Sequence, residues 1–268
     1  MEHIRVAHLK TRVSLVACIS DSLTSEAPLG TATTVYLDGI RSKAISKSNG
    51  SYIFSDLPQG DYTLCVNTEH YFPEQRSISI GTANSFQFVQ LMPLPSYPFS
   101  PGTGLIRVVL QDEKGAPMKD ASLTATMLTE ECAAARLMLD QIDKGDTELI
   151  LGSLTGIISV GDCFLLRGRS SKETQEVIRI AEVLESQKRF RLENPVKHAF
   201  NRGALLLPVQ QTRSTERGEA VLAFRGGRIP EFQVQLEIAR GASRKPNVLK
   251  EVRVAEGTTT NLGKIQLT

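Results

Sequence analysis

Tryptophan is absent from the 268 residues, and phenylalanine and tyrosine together make up 6% of them. Side chains that stack on sugar rings or nucleic-acid bases are therefore scarce, which weighs against carbohydrate or nucleic-acid recognition. An excess of either charge is missing too. Thirty-one basic residues face 29 acidic ones, for a formal charge of +2, too small for strong, salt-sensitive phosphate binding. Nucleic acid is therefore not expected as a partner. Only four cysteines occur, Cys18, Cys65, Cys132 and Cys163, with no C-x-x-C pair, so neither a thioredoxin-type motif nor a cysteine zinc site is available. No apolar run approaches the ~20 residues of a membrane-spanning helix. The N-terminal stretch MEHIRVAHLKTRVSLVACIS lacks a basic leader, an apolar core and a small-residue cleavage site. Cytoplasmic synthesis without a signal peptide is expected, with a place in a released particle left open.

Catalytic devices are missing in the same way. His3, His8, His70 and His198 fall in separate segments without a metal-ligand spacing. DQIDKGDTE gathers Asp140, Asp143, Asp146 and Glu148 but lacks the D-x-D-x-D-G spacing that wraps oxygen ligands around calcium, and reads as an acidic turn. There is no G-x-S-x-G elbow, no P-loop and no dinucleotide fingerprint. Paired carboxylates for glycoside chemistry depend on a separation that the fold sets. The expectation is a non-enzyme with no catalytic, cofactor-binding or metal-binding residues and no cofactor. Arg213, Arg217, Arg225, Arg228, Arg240, Arg244, Lys245, Lys250, Arg253 and Lys264 are dispersed through the C-terminal stretch without interleaved aromatics, as on a solvated strand face.

What the chain does have is alternation. RVSLVACI, TTVYLDG, DYTLCVN, RSISI and SFQFVQL place apolar residues at every second position between Gly, Pro, Asn and Asp, the period of half-buried strands. Cys18 and Cys65 fall on the side opposite the apolar rows, so a disulfide between them is possible but unforced. The first domain is predicted to be all β over residues 1–92. MPLPSYPFSPGTG follows, and its prolines favour an extended, semi-rigid linker over 93–104. Beyond it the first domain is written again. SEAPLGTATTVYL is echoed by KGAPMKDASLTAT, SNGSYIFSDL by TERGEAVLAF, DYTLCVN by EFQVQLEI, and RSISIGTANSFQFVQL by VRVAEGTTTNLGKIQL. Four blocks in the same order imply two copies of one β module, the second made of residues 105–128 and 212–268.

The first copy contains Gly50, Tyr52, Phe54, Leu57, Pro58, Gly60, Tyr62 and Leu64 in the pattern G-x-Y-x-F-x-x-L-P-x-G-x-Y-x-L. This resembles the carboxypeptidase regulatory-like modules, transthyretin-like antiparallel sandwiches that accompany other domains. The resemblance implies a non-catalytic spacer, adhesion unit or assembly surface. By alternation Tyr52 and Phe54 face one way, Pro58 and Gly60 form the turn, and Tyr62 and Leu64 return, so the motif is expected to build core. The second copy departs from it, with Ala220 and Leu222 in place of the aromatics.

Residues 129–211 split the second copy and are long enough for a core of their own. Their turn signals predict five or six strands wound as a small barrel, with Gly156 and Gly161 in the bends. Gly161, Asp162 and Leu165, then Pro195, Ala199, Gly203 and Ala204, are similar to a small β unit of phage-tail structural proteins. Between Thr129 and Ile142 the composition leaves both helix and strand open. The expected architecture is all-β: two antiparallel transthyretin-like sandwiches, the second split by an inserted small β-barrel. The expected role is a structural subunit of a larger assembly, with a phage-tail or contractile injection particle as the setting; the alternative is a surface adhesion or carbohydrate-binding protein.

Overall fold

A computed structural model describes residues 11–30, 32–41, 43–82, 85–169, 174–225, 229–240 and 248–267. The chain divides into two compact units, Met1–Leu91 and Met92–Thr268. Both are all β.

In the first unit the strands are β1 (Val13–Asp21), β2 (Thr34–Leu37), β3 (Ile45–Ser46), β4 (Ser51–Ser55), β5 (Gly60–Asn67), β6 (Glu74–Ile80) and β7 (Ser85–Leu91). They form one sheet in the order β3-β4-β1-β7 and another in the order β2-β5-β6. The first sheet contributes Leu15, Ala17, Ile19, Phe54, Val89 and Leu91 to the interior, and the second contributes Val35, Leu37, Leu64, Val66, Ile78 and Ile80. Alternation places these residues on inner faces and their neighbours outside. Every ladder in the unit is antiparallel except β1 with β7, which is parallel.

The second unit repeats that topology. Its sandwich strands are β8 (Gly104–Gln111) and β9 (Ser122–Met127), followed after the insertion by β18 (Glu219–Phe224), β19 (Glu231–Ala239), β20 (Val248–Ala255) and β21 (Thr259–Gln266). β8 pairs antiparallel with β18 and parallel with β21, as β1 does with β4 and β7. β19 lies between β9 and β20, as β5 lies between β2 and β6. The correspondence reaches single atoms. The Ile19 amide donates to the Gly50 carbonyl at 2.9 Å, and the Leu110 amide to the Gly218 carbonyl at 2.8 Å. Both glycines have a left-handed φ, +78° and +76°, the conformation that a side chain disfavours. One core cluster joins both faces of this sandwich, with Ile106, Val108, Leu110 and Leu222 opposite Leu123, Val234, Leu236 and Val254. Phe224 and Phe232 meet across it edge to face at 5.6 Å.

Between β9 and β18 come a 3-10 turn at Glu130–Cys132 and the strands β10 (Ala135–Leu137), β11 (Gln141–Ile142), β12 (Glu148–Gly152), β13 (Cys163–Arg167), β14 (Gln175–Glu185), β15 (Arg189–Leu192), β16 (Phe200–Asn201) and β17 (Leu205–Arg213). The segment left open between Thr129 and Ile142 thus resolves into one short turn and two strands. Six strands run in the order β10-β12-β15-β14-β13-β17, and a β10–β17 pairing closes the ring. Closure removes the sheet edges. Leu137, Leu149, Phe164, Ile178, Phe190 and Leu206 fill the interior.

β17 belongs to both bodies. Leu205–Val209 pair with β13 inside the barrel, and Val209–Arg213 then run antiparallel to β9. Pro208 sits at this handover. Ala134 donates to the Leu206 carbonyl and Ser214 to the Ala121 carbonyl, so even-numbered residues of β17 turn toward β10 and then β9. Pro208 therefore lacks its N–H on the side where β10 has ended and the β9 pairings begin, a place where a proline is tolerated.

Residues 93–104 are anchored within the second unit: the Pro95 carbonyl accepts from Arg107 Nη1 of β8 at 3.2 Å and the Gly102 carbonyl from the Gly257 amide, in the turn between β20 and β21, at 3.2 Å. Tyr97 is buried and its ring lies 4.8 Å from that of Phe99. No described helix is long and apolar enough to cross a membrane.

Candidate interaction surfaces

The eight motif residues part ways. Gly50, Phe54 and Leu64 are buried. At Gly50 a β-carbon would stand 2.4 Å from the Ile19 carbonyl oxygen, so only glycine fits. Tyr52 and Tyr62, expected in the core, are half-buried, as is Leu57, while Pro58 and Gly60 are exposed at the turn. Tyr62 covers that turn and donates its hydroxyl to the Pro58 carbonyl at 2.7 Å. Tyr52 points to the inner side opposite Ala17 but reaches the rim of the sandwich, where it lines a groove. Alternation gives the face of a strand and does not give the distance from the rim.

A residue outside the motif makes the buried polar contact. Tyr71 donates its hydroxyl to Asp21 Oδ2 at 2.9 Å and accepts from the Leu29 amide at 2.9 Å. Asp21 Oδ1 also accepts from the Leu23 amide. In the second copy Asp112 holds the corresponding turn through the Lys114 and Ala116 amides. The echo of APLG by APMK is the trace of this turn in the sequence.

The outer face of the β3-β4-β1-β7 sheet is apolar along one line. Ile45 pairs with Ile53, Ile53 with Val16 and Val16 with Phe86, so the four side chains share a cross-strand row. Phe88 stands two residues on, beside Cys18. Ile45, Phe86 and Phe88 are 56%, 60% and 45% exposed. β7 is also an edge strand, and Arg76 caps its Phe88 carbonyl at 2.7 Å.

The second surface is a groove of about 590 Å³ in the first unit. It lies where the edge strand β2 of one sheet and the edge strand β3 of the other leave the sandwich open. Tyr36, Tyr52, Arg41, Lys43 and Lys47 line it, with no carboxylate among the lining residues.

Other sequence candidates resolve into local structure. Glu148 receives Arg189 Nε at 2.9 Å and Arg191 Nη2 at 3.3 Å, and the Arg189 hydrogen bond foremost lowers its pKa below the ordinary glutamate value. Asp146 accepts from the Asp143 amide, and Asp140 pairs with Arg202 at 3.4 Å. No group of three or more His, Cys, Asp or Glu suited to a metal occurs among the described residues. His70 and His198 lie in separate units, and His3 and His8 lie outside the described residues. Cys18 and Cys65 are both free and belong to different sheets, which removes the pairing the alternation allowed. Burial raises the pKa of Cys132 and of Cys163. Of the dispersed C-terminal cations, Arg213 pairs with Asp120 and Arg253 with Glu231; Arg228, Arg244 and Lys245 lie outside the described residues.

No protein-family model and no curated protein matches the chain. Among solved structures it is similar to the Bacillus anthracis TIE protein, at 11% identity over 96% of this chain and 33% of that one, with a TM-score of 0.27. It is similar to the Streptococcal ancillary pilin at 8% identity over 96% of this chain and 69% of that one, with a TM-score of 0.26. The shaft pilin spaA from Lactobacillus rhamnosus GG gives 10% identity over 96% and 97% of the two chains, with a TM-score of 0.25. The chain thus spans about a third of the first of these proteins. At such scores the likeness carries no argument about what this chain does.

Proposed function

We propose that the chain is a non-catalytic structural subunit of a larger protein assembly, built from two carboxypeptidase regulatory-like modules. The observation that carries this is the apolar row Ile45, Ile53, Val16 and Phe86, with Phe88 beside it, on the outer face of a sheet whose inner face is already committed to core. Exposed apolar patches of this kind favour protein partners. A phage-tail or contractile injection particle is the finer setting, with the chain made in the cytoplasm and released within the particle. Replacing Phe86 and Phe88 by Ser tests the reading in the native source. The variant is expected to melt like the wild type, since both rings are exposed, and to drop out of the assembly. Full retention in the assembly contradicts the reading.

The alternative role, adhesion through a glycan, draws on one observation: Tyr36 and Tyr52 line a common groove. A glycan array probed with the full chain tests it. Binding lost in a Tyr36→Ala, Tyr52→Ala variant supports the alternative, and an array without binding removes it.

A further inference from the structure

The two copies differ at one edge. In the second copy β9 is covered on its outer side by β17, which runs antiparallel to it from Val209↔Thr126 to Arg213↔Ser122. In the first copy β2, the counterpart of β9, ends its sheet. The equivalence is set by matching bonds: the Asp38 amide donates to the Thr63 carbonyl, and the Leu128 amide to the Gln233 carbonyl, both at 2.9 Å. Counting back from these bonds, Val35 corresponds to Ala125, which is the partner of Gln210 on β17. The chain preceding β4 explains the difference. It pairs with β4 itself as β3, in the opposite sheet, whereas the chain preceding β18 lies beside β9. β2 is left without the strand that its counterpart has.

Alternation then fixes which groups face the vacant side. Asp38 and Tyr36 turn their backbone toward β5, so Val35 turns its amide and carbonyl outward. No described residue bonds either group. Val35 also lines the groove, together with Arg41, Lys43 and Lys47, none of which forms an ion pair or side-chain hydrogen bond with a described residue. Among the described residues, the surface combines a free strand edge with unpaired positive charge.

We propose that the edge of β2 accepts an added antiparallel β-strand from an acidic, extended segment of a partner protein. The backbone of the incoming strand bonds to Val35 as Gln210 does to Ala125, and its carboxylates meet Arg41, Lys43 and Lys47. Main-chain pairing supplies affinity in such strand addition and side chains supply selectivity; charge complementarity selects the acidic strand. This edge belongs to a different surface from the Phe86 row, and its occupancy does not depend on that row being an interface.

The full chain is mixed with a synthetic peptide, acetyl-Thr-Glu-Val-Glu-Val-Glu-Thr-amide, or with its lysine-for-glutamate counterpart, and amide hydrogen exchange is followed by residue. Exchange at Val35 is expected to slow with the acidic peptide and not with the basic one. The variant Arg41→Ala, Lys43→Ala, Lys47→Ala is expected to melt unchanged and to bind the acidic peptide about tenfold more weakly. Val35→Pro, which removes the outward donor and leaves the β2–β5 bonds intact, is expected to abolish binding. If Val35→Pro fails to fold, exchange in the wild type still decides. Unaltered Val35 exchange at millimolar acidic peptide overturns the proposal. So does equal binding of both peptides, or polygalacturonate displacing the acidic peptide and occupying the groove without slowing Val35.

Discussion

At Gly218 a β-carbon would stand 2.2 Å from the Leu110 carbonyl oxygen, and φ is +76°. Gly218→Ala is therefore expected to destabilise the second sandwich by about 2 kcal/mol or more, because both backbone conformation and β-bridge must yield; urea unfolding monitored at that unit checks it. A second residue gives a pH dependence. Glu148 has a lowered pKa in the folded chain, chiefly through the Arg189 hydrogen bond. Its stabilisation is complete above the unfolded glutamate pKa and is lost as pH falls through the lower folded value. Stability of Glu148→Gln measured against pH should accordingly converge on that of the wild type in acid and fall below it above about pH 5. Since Glu148 is only half-buried, added salt should shrink the difference. At this scale the sequence showed which side of a strand faces inward: Phe54 and Leu64 are core as the alternation predicts. Tyr52 and Tyr62 are only half-buried because they lie near the rim and the turn, and distance from the rim is a tertiary property.

The element that joins the two bodies of the second unit is β17. Its apolar first half, Leu205–Leu207, reads as buried strand, and Pro208 marks the place where its partner changes from β10 to β9. The junction is also held by Arg167, buried at the end of β13, which donates to the Leu128 carbonyl at 3.2 Å and faces Glu130 Oε1 at 3.3 Å. Arg167→Ala is expected to cost about 2 kcal/mol, the loss of a charge-assisted hydrogen bond at a buried site. Differential scanning calorimetry should show the cost shared by barrel and sandwich; a loss confined to the barrel would contradict the junction role. Strand content was legible in the alternation. The split of 129–142 into a 3-10 turn and strands was not, because Ala, Leu and Met suit a helix locally and barrel closure overrides that preference.

For the whole molecule the repeat carried the most information. The order of the echoed blocks predicted two equivalent sandwiches and an insertion, and the shared strand order and the glycine bonds express that equivalence. The parallel pairings β1–β7 and β8–β21 had no signal in the sequence, since partner choice between distant strands leaves no local period. The open edge of β2 was equally hidden. It emerges only from the difference between two copies that the sequence presents as alike. What both copies share is that the inward-facing side chains of each alternating strand are committed to interiors, and in the proposed reading the outer faces and edges meet partners. The most direct test is the mass of the species that carry this chain in its native source, measured by mass photometry with antibody depletion. The account predicts that the chain is found only within particles many times its own 29.4 kDa. A stable population of free 29.4 kDa monomer with turnover of a small substrate would contradict it.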